Sequence, residues 1–273
     1  MSGLTPPVVI LARPQLGENI GAAARAMKNC GLTDLRLVAP RDGWPNPAAL
    51  PMAAAGKDII ESAEVYKTLG DALHDVTFLV ATSARPRDMA KPVSDPRTAA
   101  PLLVRHHEEV KDAGSYAGLL FGAERSGLDN DELALADVIV QADLNPEATS
   151  LNLAQAVFLM AWEWRVAALE KNSAARQVIT EGPITKEAGR RKTAHPKMPA
   201  DTAIIPATGA ARDFFFTRLE TILDNRQFFG SPEMAPVVKR NLRTYFTRGT
   251  PTEQELNTLH GILTLFEQGK GLG

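Results

Sequence analysis

Three stretches of the chain set charged and polar residues directly after apolar runs, the pattern of a strand that delivers its end to a ligand. The first is Asn19-Ile20-Gly21-Ala22-Ala23-Ala24-Arg25, which follows the apolar Pro7 to Ala12 and a short loop from Arg13 to Glu18. The second is Gly122-Ala123-Glu124-Arg125-Ser126-Gly127-Leu128, behind Leu119-Leu120-Phe121. The third runs from Asn145 to Asn152 and contains Thr149, Ser150 and Leu151. In an open α/β sheet, ligands collect beyond the carboxyl ends of the strands, so three such ends brought together would form a site. Each member also has a plain structural reading. Arg25 on an alanine-rich helix is a solvated side chain, Asn19 and Ser150 are helix N-caps, and Glu124 pairs with Arg125 or caps the next helix. Gly127 lets the backbone turn where a side chain would obstruct it.

Several common chemistries are excluded by what is missing. The turn Gly17-Glu18-Asn19-Ile20-Gly21 lacks the third glycine of a dinucleotide fingerprint. Neither G-x-x-x-x-G-K-[ST] nor G-x-S-x-G occurs in the chain. The single cysteine, Cys30, permits no intrachain disulfide and no cysteine metal cluster. The five histidines have no zinc-like spacing, and the adjacent His106 and His107 read as a solvated helix face.

The elements that must carry these residues follow from the apolar runs. Strands are expected at Pro7–Ala12, Leu35–Val38, Ala63–Tyr66, Val76–Ala81, up to Phe121, and at Val138–Ala142. Helices are expected at Ile20–Asn29 (stopped by Gly31), Ala53–Lys57, Leu69–His74, Asp95–Lys111, Asp129–Ala136 and Ser150–Glu170. The proline-rich Arg41 to Pro51 reads as a surface excursion. This alternation is that of an α/β layer fold with a mainly parallel sheet. From Lys171 to Ala207 apolar residues thin out, which suggests a linker. Beyond it three helices are expected, Ala210–Arg226, Ala235–Arg248 and Thr252–Gln268, the last opened by a Thr252-x-x-Glu255 capping box. Phe214, Phe215, Phe216, Phe228, Phe229 and Phe246 would supply a small aromatic core.

A hydrophobic content of 44% in 273 residues is enough for a sizeable core. With no basic-then-apolar leader and no apolar run near membrane-spanning length, the reading is a cytoplasmic protein without a membrane partner. Residues 1–170 hold 15 Lys+Arg against 22 Asp+Glu, whereas residues 171–273 hold 15 against 10. A basic tail on an acidic body permits an RNA or DNA partner, with tail cations on phosphates; the alternative is that the tail only packs.

Taken together, the three motifs resemble the SPOUT superfamily of RNA methyltransferases in its TrmH/TrmJ branch, over essentially all of residues 7–170. Asn19 to Lys28 matches the first motif, Phe121 to Leu128 the second and Asn145 to Ala154 the third. Thr82-Ser83-Ala84-Arg85, Ser150 in the third motif and the stretch Arg248 to Leu256 look like the TrmJ subgroup. The resemblance implies a SPOUT domain over residues 1–170 with a deep trefoil knot, a linker over 171–207 and a helical extension over 208–273. It implies S-adenosylmethionine as the cofactor, held by Thr82, Ser83, Ala84, Gly122, Ala142, Thr149, Ser150 and Leu151. It further implies an obligate homodimer, with each site completed by the partner; the cysteine count and histidine spacing above give no metal site.

The implied reaction is methyl transfer to a ribose 2′-hydroxyl, with Arg25, Asn19, Glu124 and Ser150 as the catalytic set. A guanidinium with a pKa above about 12 is a costly base, so Arg25 suits a phosphate clamp, and the base is left open. Asn19, Glu124 and Ser150 would position the ribose or the motif loops. The implied substrate is tRNA at the first nucleotide of the anticodon loop. Ribosomal RNA, or a catalytically silent RNA-binding dimer of the same fold, are the alternatives.

Overall fold

The computed structural model describes residues 4–85, 91–109, 115–180, 206–247 and 251–267. Seven parallel strands form one sheet in the order β3-β2-β1-β6-β4-β7-β5. They are β1 (Val8–Ala12), β2 (Leu35–Val38), β3 (Glu64–Tyr66), β4 (Val76–Thr82), β5 (Val93–Ser94), β6 (Tyr116–Phe121) and β7 (Val138–Val140). The inner strands are unbroken apolar runs because helices cover both of their faces, as a parallel sheet requires. Val8, Val9, Ile10 and Leu11 of β1 are all fully buried.

Three of the body helices are long enough to form the layers: α1 (Gly17–Cys30), α5 (Pro96–Glu109) and α7 (Leu153–Thr180). The short ones are α2 (Ala49–Ala53), α3 (Lys57–Glu61), α4 (Leu69–Ala72) and α6 (Asn130–Leu135). One core, holding Met27, Leu37, Leu103, Phe121 and Trp164, lies under α1, α5 and α7. The second, on the other face, gathers Ile10, Leu79, Leu120 and Leu133. The extension comprises α8 (Gly209–Asn225), α9 (Ala235–Thr247) and α10 (Glu253–Glu267).

Several elements differ from the sequence reading, each for a local physical reason. Helix α1 starts at Gly17, three residues before the expected Ile20, so Asn19 lies inside it and is not its N-cap. Helix α7 starts at Leu153, which removes Ser150 as a cap; the Asn152 carboxamide oxygen instead accepts from Ala154 N at 2.9 Å. The same helix continues to Thr180, through the first part of the expected linker. The proline-rich excursion ends in α2, where Pro51 is harmless because first-turn N–H groups have no intrahelical partner. His106 is buried: its Nε2 lies 2.7 Å from Thr77 Oγ1 and its ring stacks on Phe78 at 5.1 Å. Phe214 and Phe228 are exposed, so the small core of the extension holds Phe215, Phe216, Ile222 and Leu256 without them. The Thr252–Glu255 capping box is present in both directions, at 2.8 and 3.1 Å. The Arg190-Arg191-Lys192 run lies outside the described residues.

Candidate functional site

The strand ends converge as the spacing requires. Thr82 closes β4, Phe121 closes β6, and the segment after β7 carries Ala142, Thr149, Ser150 and Leu151 past both. One cavity is lined by the β4 end, the β6 end and the segment after β7, whereas the first of the three expected stretches, Asn19 to Arg25, is not on its wall. Every one of the eight residues expected at the cofactor is: Thr82, Ser83, Ala84, Gly122, Ala142, Thr149, Ser150 and Leu151. Thr82 Oγ1 donates to Leu120 O at 3.3 Å and Ser83 N to Val140 O at 2.9 Å, which pins the β4 end to both neighbouring strands. Apolar wall comes from Phe121, Leu144, Leu153 and Met160. The hydroxyls of Thr149 and Ser150 make no hydrogen bond among the described residues. Two exposed cations, Arg85 and Arg125, also line the cavity without a carboxylate partner among those residues.

Glycine serves two separate ends in the second motif. Gly127 has φ of +67°, a left-handed conformation that favours glycine, although open space surrounds it. The crowded position is Gly122, where a Cβ would come within 2.2 Å of the Gly127 carbonyl carbon and 2.3 Å of Leu128 N. The loop closes on itself there through Gly127 N donating to Ala123 O at 2.7 Å. A side chain at Gly122 would therefore push the motif loop apart before it reached the cavity.

Glu124 neither pairs with Arg125 nor caps the following helix; Asp129 caps α6 through its own capping box with Glu132. Its carboxylate faces the N-terminus of α1 instead. It accepts from Gln15 N at 2.8 Å, Leu16 N at 3.3 Å and Asn19 Nδ2 at 2.8 Å. A carboxylate at a helix N-terminus satisfies orphan N–H groups and complements the helix dipole. Asn19 Oδ1 in turn accepts from Asn152 Nδ2 at 3.1 Å, and Asn152 caps α7. A chain of hydrogen bonds, Glu124–Asn19–Asn152, thus ties the second motif to the first and the first to the third.

Of the four residues expected to be catalytic, Glu124 and Ser150 line the cavity and Asn19 lies one hydrogen bond behind Glu124. Arg25 does not line it. It is exposed on α1, on the face shared with Glu18, and has no ion-pair or hydrogen-bond partner among the described residues. Two further participants were not singled out from the sequence. Asn152 was visible only as part of a motif. Arg13, directly after β1, has φ of +50° and grips Glu132 with both terminal guanidinium nitrogens, Nη2 at 2.9 Å. That grip ties the loop before α1 to α6. No signal in the sequence pairs residues this far apart.

Among the described residues no group of His, Cys, Asp and Glu could hold a metal ion, and no helix is long and apolar enough to cross a membrane.

An all-parallel α/β sheet with a small-molecule cavity at its strand ends, walled by Gly-containing turns and without a phosphate loop, defines the class. The chain belongs to the SpoU rRNA Methylase family, whose model matches residues 6–162. The tRNA (cytidine/uridine-2'-O-)-methyltransferase TrmJ of Yersinia enterocolitica is 35% identical over 260 residues, covering 95% of this chain and 91% of its own length. TrmJ of Salmonella typhimurium is 35% identical over 263 residues, covering 95% and 96%. The crystal structure of TrmJ from Z. mobilis ZM4 superposes with a TM-score of 0.78 at 39% identity, covering 96% of this chain and 99% of that one.

Proposed function

We propose that the protein is an S-adenosylmethionine-dependent tRNA ribose 2′-O-methyltransferase acting at the first nucleotide of the anticodon loop. The observation that carries this is the cavity: eight residues from the β4 end, the second motif and the segment after β7 line one pocket, beside relatives of nearly full-length similarity named as tRNA methyltransferases. The walls fit the cofactor's mixed character. Phe121, Leu144 and Leu153 offer apolar surface to an adenine, while the unpartnered Thr149 and Ser150 hydroxyls suit polar groups of the ligand. When bound, S-adenosylmethionine supplies an electrophilic methyl group for in-line displacement by a ribose hydroxyl.

The chain's own residues align that attack. Glu124, fixed by three donors, holds the α1 N-terminus and Asn19 in place, and Asn152 transmits the register to the third motif. Holding reactants in one geometry is worth several orders of magnitude in rate. Arg25 clamps the target phosphate. Because it lies away from its own chain's cavity, it serves the cavity of a second copy in a homodimer. An apolar strip on α7 supports such a dimer: Phe158 and Trp162 stack at 6.2 Å yet are 43% and 48% exposed, with Leu169 exposed further along. Contiguous exposed aromatics of this kind mark an interaction face.

The anticodon-loop position draws support from the TrmJ-like Thr82-Ser83-Ala84-Arg85 and Ser150. Incubating the protein with total RNA and S-adenosylmethionine, then mapping 2′-O-methyl groups, tests the proposal. New methylation at that one tRNA nucleotide is expected. Methylation confined to ribosomal RNA would replace the substrate, and none anywhere would favour a silent RNA-binding dimer.

A further inference from the structure

The extension reaches the cavity wall through a buried lysine. Lys91, 7% exposed, precedes the two-residue edge strand β5. Its ammonium donates to Ala136 O at 2.6 Å, just past the C-terminus of α6, and to Thr247 Oγ1 at the end of α9. Thr247 is itself 1% exposed and donates to Arg243 O at 2.8 Å. A cation at a helix C-terminus is favoured by the carbonyls there. From Lys91 the chain runs at once into bonds with β7: Ile139 N donates to Pro92 O and Gln141 N to Ser94 O, both at 2.9 Å. Val140 and Ala142 on one side of this ladder, and Pro96 on the other, are cavity wall.

So short an edge strand has few bonds of its own to define where it lies. We propose that Lys91 is a positioning residue: by joining α9 to β5 it fixes the wall formed by Val140, Ala142 and Pro96, so that docking of the extension sets the affinity of the cofactor cavity. This rests on the cofactor reading given above. A residue in the extension thereby acts on methyl-donor binding without touching it.

The test compares S-adenosylmethionine binding by calorimetry, KM for cofactor and for tRNA, and unfolding midpoints, in the full chain and in Lys91→Met and Thr247→Val. Removing one charge-assisted hydrogen-bonding group should weaken cofactor binding about tenfold in Lys91→Met. Thr247→Val, which keeps the Ala136 contact, should lose less, about threefold. KM for cofactor should rise in step while KM for tRNA stays put, and Lys91→Arg should restore part of the loss. A lowered unfolding midpoint with unchanged cofactor affinity would reduce Lys91 to a structural tie and overturn the proposal. Should Lys91→Met fail to fold, Thr247→Val decides alone, and wild-type affinity in it overturns the proposal. No binding by the wild type would instead overturn the cofactor reading, and this inference with it.

Discussion

The strand-end face and the helical extension use their charges in opposite ways. Arg85 and Arg125 at the strand ends, and Arg25 on α1, are exposed and hold no carboxylate among the described residues, with Arg13, gripped by Glu132, the exception on that side. In the extension the cations of the described residues are engaged within the protein. Arg212 pairs with Asp137, Arg218 with Glu267, Lys239 with Asp224, Arg240 with Asp131 and Arg243 with Glu220, and Arg226 donates to Phe266 O. The basic balance of residues 171–273 is thus not free charge as far as α8, α9 and α10 are concerned. Formal charge along a sequence counts ions; binding depends on which of them still lack a partner.

The largest expected effect lies where the extension meets the sheet. Arg212 and Asp137 are both buried, at 3.2 Å, and Asp137 also accepts from Leu79 N at 2.7 Å. Breaking a buried pair by removing one partner strands the other, so Arg212→Ala should cost about 3–5 kcal/mol in chemical denaturation. Wild-type stability in that variant would show that the extension is only loosely docked.

The strand-end face should respond next, through Glu124→Gln. The substitution keeps an acceptor oxygen but removes the charge at the α1 N-terminus, for a stability loss of about 1 kcal/mol. Methyl transfer should fall further than stability does, because one oxygen must now serve three donors and the tie through Asn19 to Asn152 loosens. Equal losses in both would make Glu124 a helix cap and nothing more.

Salt dependence sharpens the electrostatic contrast. Arg85→Gln or Arg125→Gln should each reduce the slope of log affinity for tRNA against log salt by about 1. Lys239→Gln and Arg240→Gln should leave that slope unchanged. A flattened slope in the latter pair would return the extension to the RNA interface.

The smallest effect is on pH. Burial and then the neighbouring Arg218 charge hold the His260 pKa below its ordinary value, because both disfavour the imidazolium. A lowered folded pKa means that the unfolded chain takes up a proton first. The contribution is intact above the ordinary histidine value of about 6.5 and is lost as pH falls through the lower folded value. The unfolding midpoint should therefore drop less between pH 7 and 5.5 in His260→Gln than in the wild type.

The parts of this molecule legible in the sequence are those set by local pattern. Runs such as Val8 to Ala12 and Leu119 to Phe121 are strands because they are apolar throughout, and the turns after them mark the cavity. What escaped is set by distant partners. The start of α1 is fixed by Glu124, more than a hundred residues on, which accepts from the N–H groups of Gln15 and Leu16 just ahead of the helix. His106 is buried because Thr77 and Phe78 receive it. Strand β5 spans two residues and exists through its pairing with β7, so it carries no pattern of its own. Asn152 and Arg13 act across the fold in the same way.

The central claim is that the strand-end cavity binds the methyl donor while Arg25, outside it, handles RNA. Titrating S-adenosylmethionine into wild type and Arg25→Ala, with transfer to tRNA assayed on the same preparations, tests both halves together. The account predicts equal cofactor affinity and unfolding midpoint, with transfer reduced about a hundredfold or more, the scale of losing one transition-state-orienting group. A folded Arg25→Ala protein that lost cofactor binding, or that methylated tRNA at the wild-type rate, would contradict it.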